Sequence, residues 1–388
     1  MIETEPTDDL TTEVDSLLAD ARTMIGIRTA NPPGDELHLA QWVARRTSAL
    51  GMASDVMPVS EGRANCLASF DFGPGPTIAL CTHLDVVPVH DEAAWAAEIR
   101  DGRLYGRGAC DAKGPLAAML AACARLITRG GELNGRLVLA AVADEETGAT
   151  GALALTATDF HADAVIIGEP TDNRLVLSSR GALRVAYDFS GATAHASAPE
   201  RGRNAVHHAA RFIVAVEQYH RRLAEAGRAS TCAATVVNGG TKLNVIPDHC
   251  RVLVDRRLAP AETAEDALLE LEALLTQLRD HDADLSWSWS RAGVWLEPFA
   301  MPRESAFAVT LLDALGQTAP GPTFPGGTDA PHFIAMGIPA AIIGPGSLDQ
   351  AHSENEWVRL DDLAAAIDIY ERAALAFLRP GHPPAAPR

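Results

Sequence analysis

The chain has 388 residues, 47% of them hydrophobic, and a formal net charge of −19. That length and composition can fill a sizeable core and leave room for two domains of ordinary size, while the acidic balance excludes nucleic acid and anionic membrane as main partners, since both require basic patches. The start, MIETEPTDDLTTEVDSLL, lacks the basic and apolar segments of a secretory leader, and no run of about 18 uncharged apolar residues follows, so a cytoplasmic protein acting on a small molecule is expected.

From Leu10 to about Ile27 the apolar spacing is helical, and the turn-like ANPPGDE leads to a second helix, LHLAQWVARRTSALG, closed by Gly51. ANCLASFDF and TIALCTHLD read as strands. KGPLAAMLAACARLITRGG reads as a helix, with Pro115 suited to its first turn and Gly130 and Gly131 stopping it. GRLVLAAVADEE and ADAVIIGEPT are nearly continuous apolar runs, as in strands covered on both faces. The first 175 or so residues therefore alternate strand and helix, an α/β pattern. After SSRG the order becomes strand (ALRVAYDFSG), helix (NAVHHAARFIVAVEQYHRRLAEAG), two strands (CAATVVNGG, HCRVLVDRRL), helix (TAEDALLELEALLTQLR) and strand (DLSWSWSRAG). This βαββαβ order predicts a two-layer α+β unit with its helices on one face of an antiparallel sheet. The α/β character is expected to resume near Trp295, with a helix at SAFAVTLLDALG, a strand at PAAIIGPG and a last helix at LDDLAAAIDIYERAALAFL, before a frayed RPGHPPAAPR tail. A smaller domain, 180–292, is thus predicted inside a larger one formed by 1–179 and 293–388. The six cysteines form no CxxC pair and read as small core residues, Cys110 standing apart by its place beside Asp111.

The polar residues fall at telling places. His83 and Asp85 lie at the carboxyl end of one apolar strand, Glu145 and Glu146 at that of a second, Glu169 at that of a third, and His352 shortly after PAAIIGPG. Singly, an HxD, an EE or a GEPT is ordinary structure. Four such sites at four strand ends point to one crevice, because open α/β sheets bind ligands outside the carboxyl ends of their strands. Carboxylates gathered there would repel one another and resist ionising unless cations balanced them. Two histidines plus carboxylates suit zinc, and a carboxylate shared by two metals about 3.5–4 Å apart is the device of two-metal hydrolases. Asp111, in the Gly-rich turn of YGRGACDAKGP, is a candidate for that shared position.

The stretches THLDVVP, LYGRGACDAKGPLAAM, ADEETG, GEPT, GATAHASAPERGRNAV, NVIPDHC and GPGSLDQAHSENEWV resemble, in order, the M20 metallopeptidase and deacylase family. The resemblance implies a zinc-peptidase-like catalytic domain with a mixed sheet covered by helices, and an inserted ferredoxin-like lid and dimerisation domain. It implies two zinc ions, replaceable by cobalt, with Asp111 shared, His83 and Glu169 on one ion, and Glu146 and His352 on the other. It makes Glu145 the general base, assigns Asp85 to hydrogen-bond His83 from behind, and has His195 stabilise the oxyanion. Arg180, Asn244, Arg256, Gly327 and Thr328 match substrate-binding positions. The implied activity is release of an amino acid from an N-acyl amino acid by a homodimeric biosynthetic enzyme. Desuccinylases of the family carry Gly-Arg after the TD or SD of the substrate loop, where this chain has Ala330, Pro331 and His332. GPGS, QAH and TDAPHF look instead like the acetylornithine deacetylases, making N-acetylornithine the expected substrate, with a dipeptidase, carboxypeptidase or desuccinylase as alternatives and a metal-free binding protein as a remote one.

Overall fold

The computed structural model describes residues 8–379, with side chains from residue 12 onward; nearly all of the tail expected to fray lies outside these. The chain divides into two compact units. One comprises the residues up to Ser178, Met301–Thr323 and everything from Thr328; the other comprises Ser179–Ala300 and Phe324–Gly327.

In the first unit a six-stranded sheet runs in the order Ala53–Ser60, Arg63–Asp71, Arg136–Val142, Thr77–His83, Ala164–Ile167, Ala340–Ile342. The four strands from Arg136–Val142 onward are parallel, and the first two form an antiparallel edge. The parallel strands are buried along almost their whole length, which accounts for their unbroken apolar sequences. Leu80, Leu137, Leu139 and Ile166 share one core with Leu17 and Met24 of the first helix, Leu116 and Leu120 of the helix Lys113–Arg129, and Ile367 and Tyr370 of the last helix, Leu360–Leu378. The edge strand Ala53–Ser60 was not expected. It buries no residue fully, and its one short apolar run, Val56–Val59, is interrupted by Pro58, as suits an edge.

The second unit is the expected α+β layer. Its antiparallel sheet has the order Thr231–Gly239, His249–Leu258, Gly181–Ser190, Ser286–Arg291. Val185, Tyr187, Phe189, Val252 and Val254 project from one face onto the helices Ala205–Glu225 and Ala264–His281. Each helix starts at a capping side chain: Asn204 accepts from the backbone N–H groups of Val206 and His207, and Thr263 from that of Asp266. Residues 293–300, expected in the larger domain, belong with this unit instead. Ala182 and Leu296 exchange both backbone hydrogen bonds at 2.8 Å, and Trp295 Nε1 donates to the Arg184 carbonyl at 2.8 Å.

All six cysteines are buried free thiols. No helix among the described residues is long and apolar enough to cross a membrane.

Candidate metal centre

Parallel register brings the polar residues together. His83 lies opposite Val142 and Cys81 opposite Ile167, so the segments that follow these strands leave the sheet at one edge. Asp85, Asp144–Glu146 and Glu169 all stand on those segments. Ligand atoms of His83, Asp111 and Glu146 lie within 4.8 Å of one another. His83 Nε2 is 2.9 Å from Asp111 Oδ1. His352 Nε2 is 3.4 Å from Asp111 Oδ2 and 3.2 Å from Glu146 Oε1. The two oxygens of Asp111 therefore face different histidines, as a carboxylate shared between two cations must. His352 holds a left-handed backbone conformation (φ 60°), uncommon for a residue with a side chain and characteristic of functional turns. Glu169 is buried near this cluster without joining its 4.8 Å grouping.

The charges are poorly balanced by the protein alone. Burial, reinforced by the charge of Glu169, pushes the Glu145 carboxyl well above its ordinary range; burial and the charge of Asp111 do the same to Glu169. Burial also raises Glu146, against a hydrogen bond from His352. Asp111 differs: burial opposes its ionisation, but hydrogen bonds from His352 and His83 hold it below the usual carboxylate range. Burial opposes a charge on His83 too, yet Asp111 raises its proton affinity well above the ordinary value. Imidazole nitrogens and crowded carboxylate oxygens reluctant to ionise fit divalent cations of the zinc or cobalt type, whose charge removes the repulsion.

Asp85 does not act as expected. His83 Nδ1 donates to the main-chain carbonyl of Asp85 at 2.9 Å, while the Asp85 carboxylate is 3.6 Å away. That carboxylate instead accepts from the backbone N–H groups of Glu145 and Glu146, both at 3.1 Å, and from Asn31 Nδ2 at 2.8 Å. It braces the turn bearing the candidate base and ligand, and the carbonyl beside it sets the histidine tautomer. Asp144 shapes the same turn, accepting from the hydroxyls of Thr147 and Thr150 at 2.6 and 2.7 Å and pairing with Arg63. Arg63 donates to Asn31 Oδ1 and to the Pro33 carbonyl, both at 2.6 Å. It crosses Gly34, where φ is +81° and any Cβ would collide with the guanidinium. Asn31, Arg63 and Asp144 had no signal in local spacing, because 113 residues separate Asn31 from Asp144.

The expected substrate residues behave differently from one another. His195 and Asn244 are brought together: His195 pairs with Val245 across a short ladder, and the Ala196 N–H donates to the Asn244 carbonyl at 3.0 Å. Both are exposed. His195 Nδ1 accepts the Ser197 N–H at 3.2 Å, so the neutral ring carries its proton on Nε2, free to donate. Arg180 is half-buried, its backbone N–H bonded to the Phe324 carbonyl. Arg256 is a correction. It is fully buried in the second unit, donating to Glu262 Oε1 at 2.9 Å and to Tyr219 OH at 3.3 Å. Strand parity could have revealed this, since Arg256 is in phase with Val252, Val254 and Leu258; Arg257 takes the other face and is 37% exposed at its side chain. Gly327 belongs to the second unit, where a Cβ would strike Leu296. Thr328, in the first unit, is buried with its hydroxyl 3.4 Å from Glu169 Oε1, a support for the candidate ligand more than a substrate contact.

Residues 79–376 match Peptidase family M20/M25/M40. The chain is 32% identical to an acetylornithine deacetylase of Myxococcus xanthus over 313 residues, covering 77% of this chain and 80% of that protein. It is also 32% identical to a succinyl-diaminopimelate desuccinylase of Stenotrophomonas maltophilia over 320 residues, covering 76% and 83%. Among solved structures, a tripeptidase from Staphylococcus aureus superposes with a TM-score of 0.78 at 21% identity, covering 94% of this chain and 98% of that one. A dinuclear metal-binding peptidase of Bacillus subtilis superposes with 0.72 at 16% identity and the same coverage, 94% and 98%.

Proposed function

The chain belongs to the M20 peptidase family of metal-dependent hydrolases, and on that premise we propose that it cleaves the amide bond of an N-acyl amino acid, with N-acetylornithine as its substrate. The observation that carries this reading is the cluster of His83, Asp111, Glu146 and His352 with Glu145 on the same turn as Glu146.

Two zinc ions, with cobalt as a substitute, would be held by His83, Asp111 and Glu169 and by Asp111, Glu146 and His352. When bound, they supply Lewis acidity that polarises the amide carbonyl and acidifies the attacking water. Glu145 does the proton work: a carboxylate whose proton affinity is raised by burial takes the proton from water and hands it to the leaving nitrogen. His195 donates its Nε2 proton in a hydrogen bond to the carbonyl oxygen as that oxygen gains charge. Asn244, beside it, orients the substrate. A homodimer formed through the inserted unit is supported by its edge strand Thr231–Gly239, which exposes Val236 and Val237.

The substrate loop favours a short acyl group. Counted from Thr328 and Asp329, Pro331 stands at the place of the desuccinylases' arginine and offers no cation to clamp a second carboxylate. Relatives of both activities stand at the same identity, so the substrate is decided by assay. Released amine is measured over a panel of N-acetyl and N-succinyl amino acids and dipeptides with zinc or cobalt present. N-acetylornithine is expected to give the highest kcat/KM; a preference for succinylated substrates or dipeptides would replace this assignment.

A further inference from the structure

Glu356 is 2% exposed and has no part in the reaction described above. Its Oε2 accepts from Arg107 Nη1 at 2.7 Å and from the Gly108 N–H at 2.9 Å. Its Oε1 accepts from the N–H groups of Cys110 at 2.8 Å and of Asp111 at 3.0 Å. Four donors fill the lone-pair sites of one carboxylate. A fifth bond, from the Gly106 N–H to the Glu356 carbonyl at 3.0 Å, ties the same two segments through the backbone.

This engagement is not needed to attach the Glu356 segment to the sheet. The strand Trp357–Arg359 already pairs with Arg103–Tyr105, and Val358 is buried in the core. The carboxylate reaches past that ladder to Arg107–Asp111, a turn outside any strand, which ends in Asp111. Four residues before Glu356, on the same segment, stands His352, whose Nε2 faces Asp111 Oδ2. Glu356 thus lies at the junction of the two segments that carry Asp111 and His352.

We propose that Glu356 is a positioning residue that clamps the Arg107–Asp111 turn to the His352 segment and so presets the separation of Asp111 and His352 for a metal ion. The proposal rests on reading the cluster as a metal centre. A preset site spares the ion the cost of ordering its own ligands, and groups behind the ligands commonly change metal affinity about 10- to 100-fold when removed.

The test is Glu356→Gln, which keeps the shape but has one acceptor oxygen; whichever way the amide turns, an NH2 group meets donors of the turn. Metal-free protein is titrated with cobalt, following the visible absorption of the bound ion, and thermal unfolding of each metal-free variant is recorded. Val358→Ala, which removes buried methyl groups from the same segment, serves as the comparison for lost stability. We expect Glu356→Gln to bind cobalt about 10- to 100-fold more weakly with an altered absorption band, and Val358→Ala to keep the wild-type affinity and band while melting earlier. Wild-type affinity and band in Glu356→Gln overturn the proposal, and so does an equal loss of affinity in Val358→Ala. Should Glu356→Gln not fold, Arg107→Gln removes a single donor: weaker cobalt binding is expected there, and wild-type binding overturns the clamp. Wild-type protein that takes up no cobalt fails the metal-centre reading itself, and the clamp with it.

Discussion

Asn31 donates from its single side-chain nitrogen to Asp85 Oδ2 and to Asp144 Oδ1, each at 2.8 Å. One amide thereby joins the two carboxylates that shape and brace the turn of Glu145 and Glu146. Asn31→Ala takes one donor from each of these two buried carboxylates at once and cuts the link between them, in a setting where a lost hydrogen bond is costly. We expect kcat to fall about 10- to 100-fold, with KM much less affected. Steady-state kinetics on the preferred substrate decide it, and an unchanged kcat would mean that the turn holds its shape without this link.

Glu145→Gln removes the proposed proton acceptor and keeps its volume. The expected result is a kcat lower by about 10²- to 10⁴-fold, with cobalt uptake retained because His83, Asp111, Glu146, Glu169 and His352 are untouched. Turnover equal to the wild type would refute Glu145 as the base, and loss of cobalt would recast it as a ligand.

Glu36 predicts a pH dependence of stability. It is fully buried, and neither of its carboxylate oxygens has a hydrogen-bond partner among the described residues. Burial first, then the charge of Asp85 with a smaller push from Asp144, raises its pKa to about 7; its own backbone N–H and Arg63, 3.7 Å away, work in the other direction. The folded chain therefore holds this proton more tightly than the unfolded chain, whose value is 4.5. The resulting stability is fully present below about pH 4.5 and is lost as pH rises through about 7. Glu36→Gln should match the wild type near pH 4.5 and be more stable by roughly 1–3 kcal/mol at pH 8. Urea unfolding at the two pH values measures the difference, and a gain independent of pH would assign the effect to something other than ionisation.

The parts of this molecule that were legible in its sequence are those in which one segment carries its own pattern. The apolar strands that lead to His83, to Asp144–Glu146 and to Glu169 could be read because burial on both faces keeps charged residues out of their interiors, so the cluster of histidine and acids that follows marks the sheet edge. Asp111 was legible from its glycine-rich turn. Asp85 shows where local reading stops: closeness to His83 suggested a bond between side chains, while the actual partners of the carboxylate lie 54 to 61 residues away. Glu356 was missed for the same reason, being 245 residues from Asp111. With Arg256 the information was present and went unread, since a two-residue period already placed it among the inward-facing valines. The limit of the inserted unit moved because Leu296 pairs with Ala182 across a turn that no composition shift marks.

The parallel alignment of Thr77–His83 with Arg136–Val142 has a consequence for how this chain can change its length. Successive side chains on a strand point to opposite faces, so one residue added within Thr77–His83 would turn His83 away while leaving an apolar strand still able to pair. Such a chain would keep its core and lose its centre. A residue added among exposed positions 90–93, between sheet strands, would shift nothing in that alignment. The sheet acts as a measuring rod for the chemistry at its edge, and tolerance to insertion should follow its markings more closely than distance from the active groups.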